Sequence, residues 1–284
     1  GPWDHFKKDH VSPHGPMTNH GWDVDLETVR YFDYYLKGIE NGIASEPKVH
    51  YYVMGAEVWK SGNEFPPKGM KYQIWNSGEN SLSTELVSEA GKQILDIDYK
   101  LGTGNSARWN SLTPLYKNGI TRYENRNKAA SKMIVFDSKP LENKLEIAGS
   151  PMVELSFASD TKDAGLFVYL EEVMPDGSVK MITEGQLRAA FLKEAEVSDY
   201  NGIVVPRKFE KRYFEWITPN TQLKARIEMI PTAYQFQNGS KIRLSVCGSD
   251  ADHFDKVEFA PEQLSIFWGN DGTRLHLPVV PNTP

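Results

Sequence analysis

A mainly β fold is predicted for this chain: an antiparallel sandwich or barrel preceded by a short helical segment. Three observations predict it. From about Lys68 onward, short β-branched and aromatic runs recur between Gly, Pro, Asn and Asp turns. No helix longer than three turns is legible among those runs, and strands without intervening helices indicate antiparallel pairing. Hydrophobic residues make up 39% of the 284, enough for a sizeable core, so wholesale disorder is excluded.

The elements follow in chain order. The first 24 residues hold four of the seven histidines (His5, His10, His14 and His20), and Pro13 and Pro16 break any helix there, so the stretch reads as loop. A helix is predicted over 25–37. Asp23 or Asp25 caps it, Glu27 sits in its first turn, and Gly38 stops it. Val29, Phe32 and Leu36 recur at helical spacing with Tyr35 beside them, which gives one apolar face. Asn41-Gly42 makes a turn, and alternation over Val49–Met54 makes a strand. Trp59–Met70, with Gly62, Pro66, Pro67 and Gly69, reads as a linker.

Beyond it, strands are predicted over Lys71–Trp75, Ile94–Tyr99, Met133–Phe136, Met152–Ala158, Leu166–Val173, Gln186–Leu192, Leu223–Ile230, Lys241–Cys247, Leu264–Trp268 and Thr273–Val279. Pro175-Asp176-Gly177 and Gln237-Asn238-Gly239 are hairpin turns. The segments 102–130 and 194–210 read as surface excursions.

Charge and motif content narrow the function. The net charge is −6, without the basic footprint expected of a nucleic-acid binder. No apolar run approaches the ~20 residues of a membrane span, and no basic amphipathic stretch suits a membrane surface. The single cysteine, Cys247, excludes an internal disulfide and a cysteine-cluster metal site, and reads as a small core side chain. No signal or targeting segment is legible, so compartment is left open. The chain opens on Gly1-Pro2-Trp3-Asp4-His5 rather than Met and reads as part of a longer product.

Familiar catalytic constellations are absent. Gly104-Asn105-Ser106-Ala107-Arg108 comes nearest to a nucleophile elbow but lacks the closing small residue. There is no phosphate-binding Gly-rich loop and no His-Glu-x-x-His zinc motif. His10 and His14 stand four apart, but Pro13 intervenes, so a metal site there is disfavoured. Asp160 with Asp163, and Asp250 and Asp252 with Asp255, lack the twelve-residue calcium-loop pattern and read as turn formers. His50 and His253 read as structural. His5, in a Gly/Pro-rich loop just before a helix, is the candidate general base on physical grounds, because imidazole titrates near neutral pH.

Gly1-Pro2-Trp3-Asp4-His5, Tyr31–Gly38, and Pro47–Gly55 followed by Trp59 and Pro66 resemble the C-terminal half of a cocaine-esterase-like acyl hydrolase of the X-Pro dipeptidyl-peptidase group. Leu145–Pro151, Asp163–Val173, Pro175-Asp176-Gly177 and Gly185–Arg188 continue the resemblance into that group's C-terminal jelly roll. The resemblance implies a galactose-binding-like jelly-roll β-sandwich over 67–284. Residues 1–66 would be the C-terminal remnant of an α/β-hydrolase domain.

It further implies a serine hydrolase cleaving an ester, amide or peptide substrate through a Ser-His-Asp triad. His5 would be the catalytic histidine, with Trp3 at the substrate. The Ser and the Asp would lie in an N-terminal catalytic half outside this sequence, so this chain alone is expected to be inactive. No cofactor and no metal are implied. The apolar helix face, stripped of its sheet, points to association with that missing half or with a second copy. The alternative is a non-catalytic β-sandwich module that binds carbohydrate or protein, since aromatic side chains can stack on sugars. Trp59, Trp75, Trp109, Trp216 and Trp268 lie in or beside the strands, however, where core packing is expected.

Overall fold

Helix α1, Val24–Lys37, has the caps its sequence predicts. Asp23 is the N-cap, its carboxylate accepting from the backbone N–H of Asp25 and Leu26 at 3.0 Å each, and Gly38 closes the helix at φ 69°. In this computed structural model the described residues are 1–3, 11–14, 22–104, 107–109, 123–196 and 204–281. No described residue of α1 is buried. Leu26, Val29, Phe32 and Leu36 stand about half or more exposed along one stripe. Among the described residues, no helix is long and apolar enough to cross a membrane.

Strands β1 (Val49–Val53) and β2 (Val58–Gly62) form an antiparallel hairpin. Trp59–Met70 therefore begins as a strand, not as the linker expected. Val58-Trp59 carries ordinary strand propensity, which the Gly and Pro residues just beyond it masked. The hairpin turn needs left-handed backbone at Gly55 (φ 84°) and Glu57 (φ 56°).

The remaining strands build the sandwich, as the sequence predicts. They are β3 (Lys71–Ser77), β4 (Ser81–Ser83), β5 (Ala90–Asp96), β6 (Ile134–Ser138), β7 (Leu145–Gly149), β8 (Met152–Ser159), β9 (Gly165–Val173), β10 (Val179–Arg188), β11 (Leu223–Glu228), β12 (Thr232–Phe236), β13 (Lys241–Cys247), β14 (Gln263–Gly269) and β15 (Arg274–Val279). Pairing runs β10–β9–β13–β6 on one side and β3–β15–β8–β14–β5 on the other, with the short β4 joining β3 to β6. β11 pairs with β8, and β7 pairs with β12 and β15. All these pairs are antiparallel except β4 with β6.

One continuous core lies between the two sides, built on side chains such as Phe136, Phe157, Leu170, Phe236 and Leu244. Each such side chain contributes about 1.5–3 kcal/mol on burial. β9 is buried at every position from Leu166 to Glu172, so both of its faces are covered. That burial forces its two acidic residues to find internal partners. A smaller cluster of Val53, Ala148 and Ala233 glues the β1–β2 hairpin to the sandwich. Backbone bonds reinforce it: Met54 N–H to the Ala233 carbonyl at 3.0 Å, and Gln235 N–H to the Met54 carbonyl at 2.8 Å.

Candidate active-site cleft

Residues 1–3 and 11–14 lie against the β structure. The N–H of Val11 donates to the Pro2 carbonyl at 2.7 Å, tying residues 1–3 to residues 11–14. Trp3 packs on Trp59 of β2 with ring centres 5.6 Å apart, and Trp22 packs on the same ring, 4.9 Å from Trp59 and from His50. His5 falls outside the described residues, as do His10 and His20.

Between this segment and the sandwich runs a cleft of about 620 Å³. Pro2, Trp3, Tyr51 and Tyr52 of β1, Arg108 and Tyr123 line it. Its polar groups are anchored to carboxylates. The Tyr52 hydroxyl donates to Glu57 at 3.0 Å, and burial beside that carboxylate pushes the phenol well above its ordinary pKa. The Tyr123 hydroxyl donates at 2.5 Å to the fully buried Glu184 of β10, and Arg108 lies 3.6 Å from the same carboxylate. Burial and the Glu184 charge raise the Tyr123 phenol likewise. Both tyrosines are therefore neutral hydroxyls at any physiological pH. The cleft offers aromatic walls, fixed hydroxyls and one guanidinium, which suits an apolar group with polar ends.

Trp3 is among the residues that line this cleft. Tyr123, Arg108 and Glu184 were not foreseen, because the first two come from the segment that reads as a surface excursion. The adjacent acidic pair Glu171-Glu172 inside an apolar strand was the signal that could have flagged a buried polar network.

The remaining candidates are structural. His14 Nε2 lies 2.5 Å from the Tyr234 hydroxyl. Asp163 is fully buried, accepts from Arg188 Nε at 2.7 Å, and receives the backbone N–H of Ala164 and Ala190. Asp250 accepts from the N–H and hydroxyl of Thr103. Asp160 accepts from Gln263 N–H. These are the roles of turn and loop braces, and among the described residues no group of three or more His, Cys, Asp or Glu could hold a metal ion. His50 Nδ1 pairs with the Ser61 hydroxyl at 2.7 Å and His253 with the Gly104 carbonyl at 2.9 Å. Of the tryptophans expected in the core, Trp75 is buried there, whereas Trp109 and Trp216 remain more than a third exposed.

The architecture is that of a jelly-roll β-sandwich preceded by a helix and a β-hairpin. The chain matches the X-Pro dipeptidyl-peptidase C-terminal non-catalytic domain over residues 41–261 and belongs to that family. A protein of Mycobacterium bovis named as a serine esterase is 32% identical over 99% of this chain and 45% of its own length. The cocaine esterase of Rhodococcus sp. is 21% identical over 80% of this chain and 38% of its own. A CocE/NonD family hydrolase from Staphylococcus aureus superposes with a TM-score of 0.70, at 17% identity, over 90% of this chain and 45% of its own, a likeness of fold. The chain thus spans less than half the length of the curated relatives it matches.

Proposed function

We propose that this chain is the C-terminal portion of a serine acyl hydrolase that cleaves an ester or amide bond, with His5 as the general base of a Ser-His-Asp triad. The observation that carries this reading is the seating of the Gly-Pro-Trp segment at the mouth of an aromatic cleft. In the triad the serine attacks the carbonyl, the histidine takes its proton and returns it to the leaving group, and the aspartate orients the imidazole. Serine and aspartate come from a partner portion of the protein. Residues 1–66 complete that portion's α/β-hydrolase layer, and 67–284 form the jelly roll that walls the substrate cleft. The bare apolar stripe of α1 supports this division, since Leu26, Val29, Phe32 and Leu36 suit a sheet that the partner supplies.

The test joins this chain to its upstream coding region and measures hydrolysis of p-nitrophenyl esters. The expected result is activity that falls about 10⁴-fold or more in His5→Ala, and no His5-dependent rate in the chain alone. An undiminished rate in His5→Ala removes His5 from the chemistry.

A second reading, a sugar-binding module, rests on a separate pocket of about 190 Å³ walled by Phe167, Phe254 and Tyr99 beside Arg188 and Lys256. Saturable binding of an oligosaccharide to the chain, lost in Phe254→Ala, would favour it.

A further inference from the structure

Three successive residues, Ser12, Pro13 and His14, are each gripped by a different part of the β structure. The Ser12 hydroxyl donates to Glu57 in the β1–β2 turn. Lys180 of β10 donates through Nζ to the Pro13 carbonyl at 2.7 Å. His14 Nε2 lies 2.5 Å from the Tyr234 hydroxyl of β12 and 3.2 Å from Glu172 Oε2 of β9.

Each grip is built. Glu57 holds a left-handed backbone at φ 56°, which costs a non-glycine residue about 1 kcal/mol. Glycine or asparagine would fit that turn with less strain. The glutamate instead places its carboxylate where it also receives the Gly55 N–H at 2.8 Å and the Tyr52 hydroxyl at 3.0 Å. Glu172 is fully buried and is satisfied by the Gln237 N–H and the Tyr234 hydroxyl, with the Ser240 hydroxyl at 2.5 Å. Burial favours its neutral form, but the bonds from His14, Gln237, Ser240 and Tyr234 outweigh that and keep it ionised. Tyr234 has one hydroxyl proton, and Glu172 receives it. The network therefore assigns the hydrogen to Nε2 of His14, which donates into the pair.

We infer that Ser12–Pro13–His14 is a clasp by which the β-sandwich fixes the N-terminal segment that bears His5, with His14 as a positioning residue for the proposed base. The inference rests on the hydrolase reading for its catalytic consequence, but not for the clasp itself. The clasp couples the jelly roll to catalysis through the backbone of the N-terminal segment. A displacement of about 1 Å at a reacting group costs up to about 100-fold in rate, so anchoring the chain nine residues downstream of the base bears on the rate.

Two measurements test it. On the chain alone, amide hydrogen exchange of the peptide spanning 1–14 is compared in wild type, His14→Ala, His14→Gln and Tyr234→Phe. Faster exchange is expected in His14→Ala and Tyr234→Phe, and near wild-type protection in His14→Gln, whose amide N–H restores the donor. Urea denaturation of each variant confirms that the fold is kept, and Ser12→Ala, away from the buried Glu172, is the second probe. On the full-length hydrolase, His14→Ala is expected to lower kcat about 10- to 100-fold with KM changed less than about threefold, and His14→Gln to recover most of the loss.

Unchanged exchange in His14→Ala and Ser12→Ala overturns the clasp. Faster exchange with unaltered kcat overturns the positioning role. If the wild-type full-length protein has no esterase activity, the hydrolase reading fails and takes the positioning role with it. That outcome is recognisable because the exchange result stands independently of substrate.

Discussion

Arg126 lies over the Tyr169 ring, its guanidinium carbon 4.4 Å from the ring centre, while its Nε donates to the buried carboxylate of Glu171. Both charged side chains are at most 5% exposed. Ser245 satisfies the other oxygen of Glu171 at 2.6 Å. A pair so deep contributes little over an apolar replacement of both members, but losing one member strands a charge in the core. Arg126→Met is expected to lower unfolding free energy by about 3–5 kcal/mol, read from urea denaturation. The double variant Arg126→Met/Glu171→Gln should recover part of that loss. A single variant within 1 kcal/mol of wild type would show that Glu171 finds another partner.

Glu172 gives the fold an acid limit. Its carboxyl titrates below the ordinary glutamate value in the folded state, despite burial, because four donors converge on it. The unfolded chain binds this proton more readily, so stability is full above about 4.3, the unfolded value, and drains away as pH falls through the folded one. Urea midpoints measured between pH 3 and 7 should fall steeply at the acid end in wild type. In Glu172→Gln the fall should be shallower, from a lower starting stability. Parallel curves would mean that other carboxylates set the limit.

Cys247 is 1% exposed, and burial pushes its thiol up to about 12. The nucleophilic thiolate is then almost unpopulated at pH 8, and reagent cannot reach the sulfur. Native protein should show no reaction with Ellman's reagent over an hour, and one thiol per chain in 6 M guanidinium. Rapid native labelling would mean that the β13 end opens readily.

Gly55 connects the hairpin to the sandwich. Its φ of 84° suits glycine, and a Cβ there would strike the Gln235 carbonyl oxygen. That oxygen belongs to the residue whose N–H bonds Met54. Gly55→Ala should therefore cost about 1–3 kcal/mol and loosen the hairpin first. Hydrogen exchange at Val53 and Met54 should rise before that of β9 does.

Much of this architecture is legible locally. Asp23 and Gly38 bound α1, and Asn238-Gly239 with clean alternation sets β13 at Lys241–Cys247, residue for residue. β10 is legible only at its end. Its first part carries Thr183, Glu184 and Gly185, which break the apolar pattern. They are buried because distant groups satisfy them: the Ile230 carbonyl for Thr183, and Tyr123 for Glu184. A polar residue made internal by a partner sixty positions away has no local signature. β12 escaped notice for a related reason, being five residues long and directly after Pro231. The cleft follows the same rule. Trp3 is marked by its motif, whereas Arg108 and Tyr123 acquire meaning only when β10 is beside them.

The placement of β15 has a consequence for the newborn chain. This strand fills the gap between β3 and β8, and its Arg274 sits opposite Asn76, nearly two hundred residues earlier. Ribosomes add about 5–20 residues per second, so one edge of β3 waits about 10–40 s for its neighbour. Closure of that sheet is a late event governed by distant pairing, which is intrinsically slow. During the wait the backbone of β3 is an open template, and a ribosome that stalls before residue 274 releases a polypeptide primed to add strands from its neighbours.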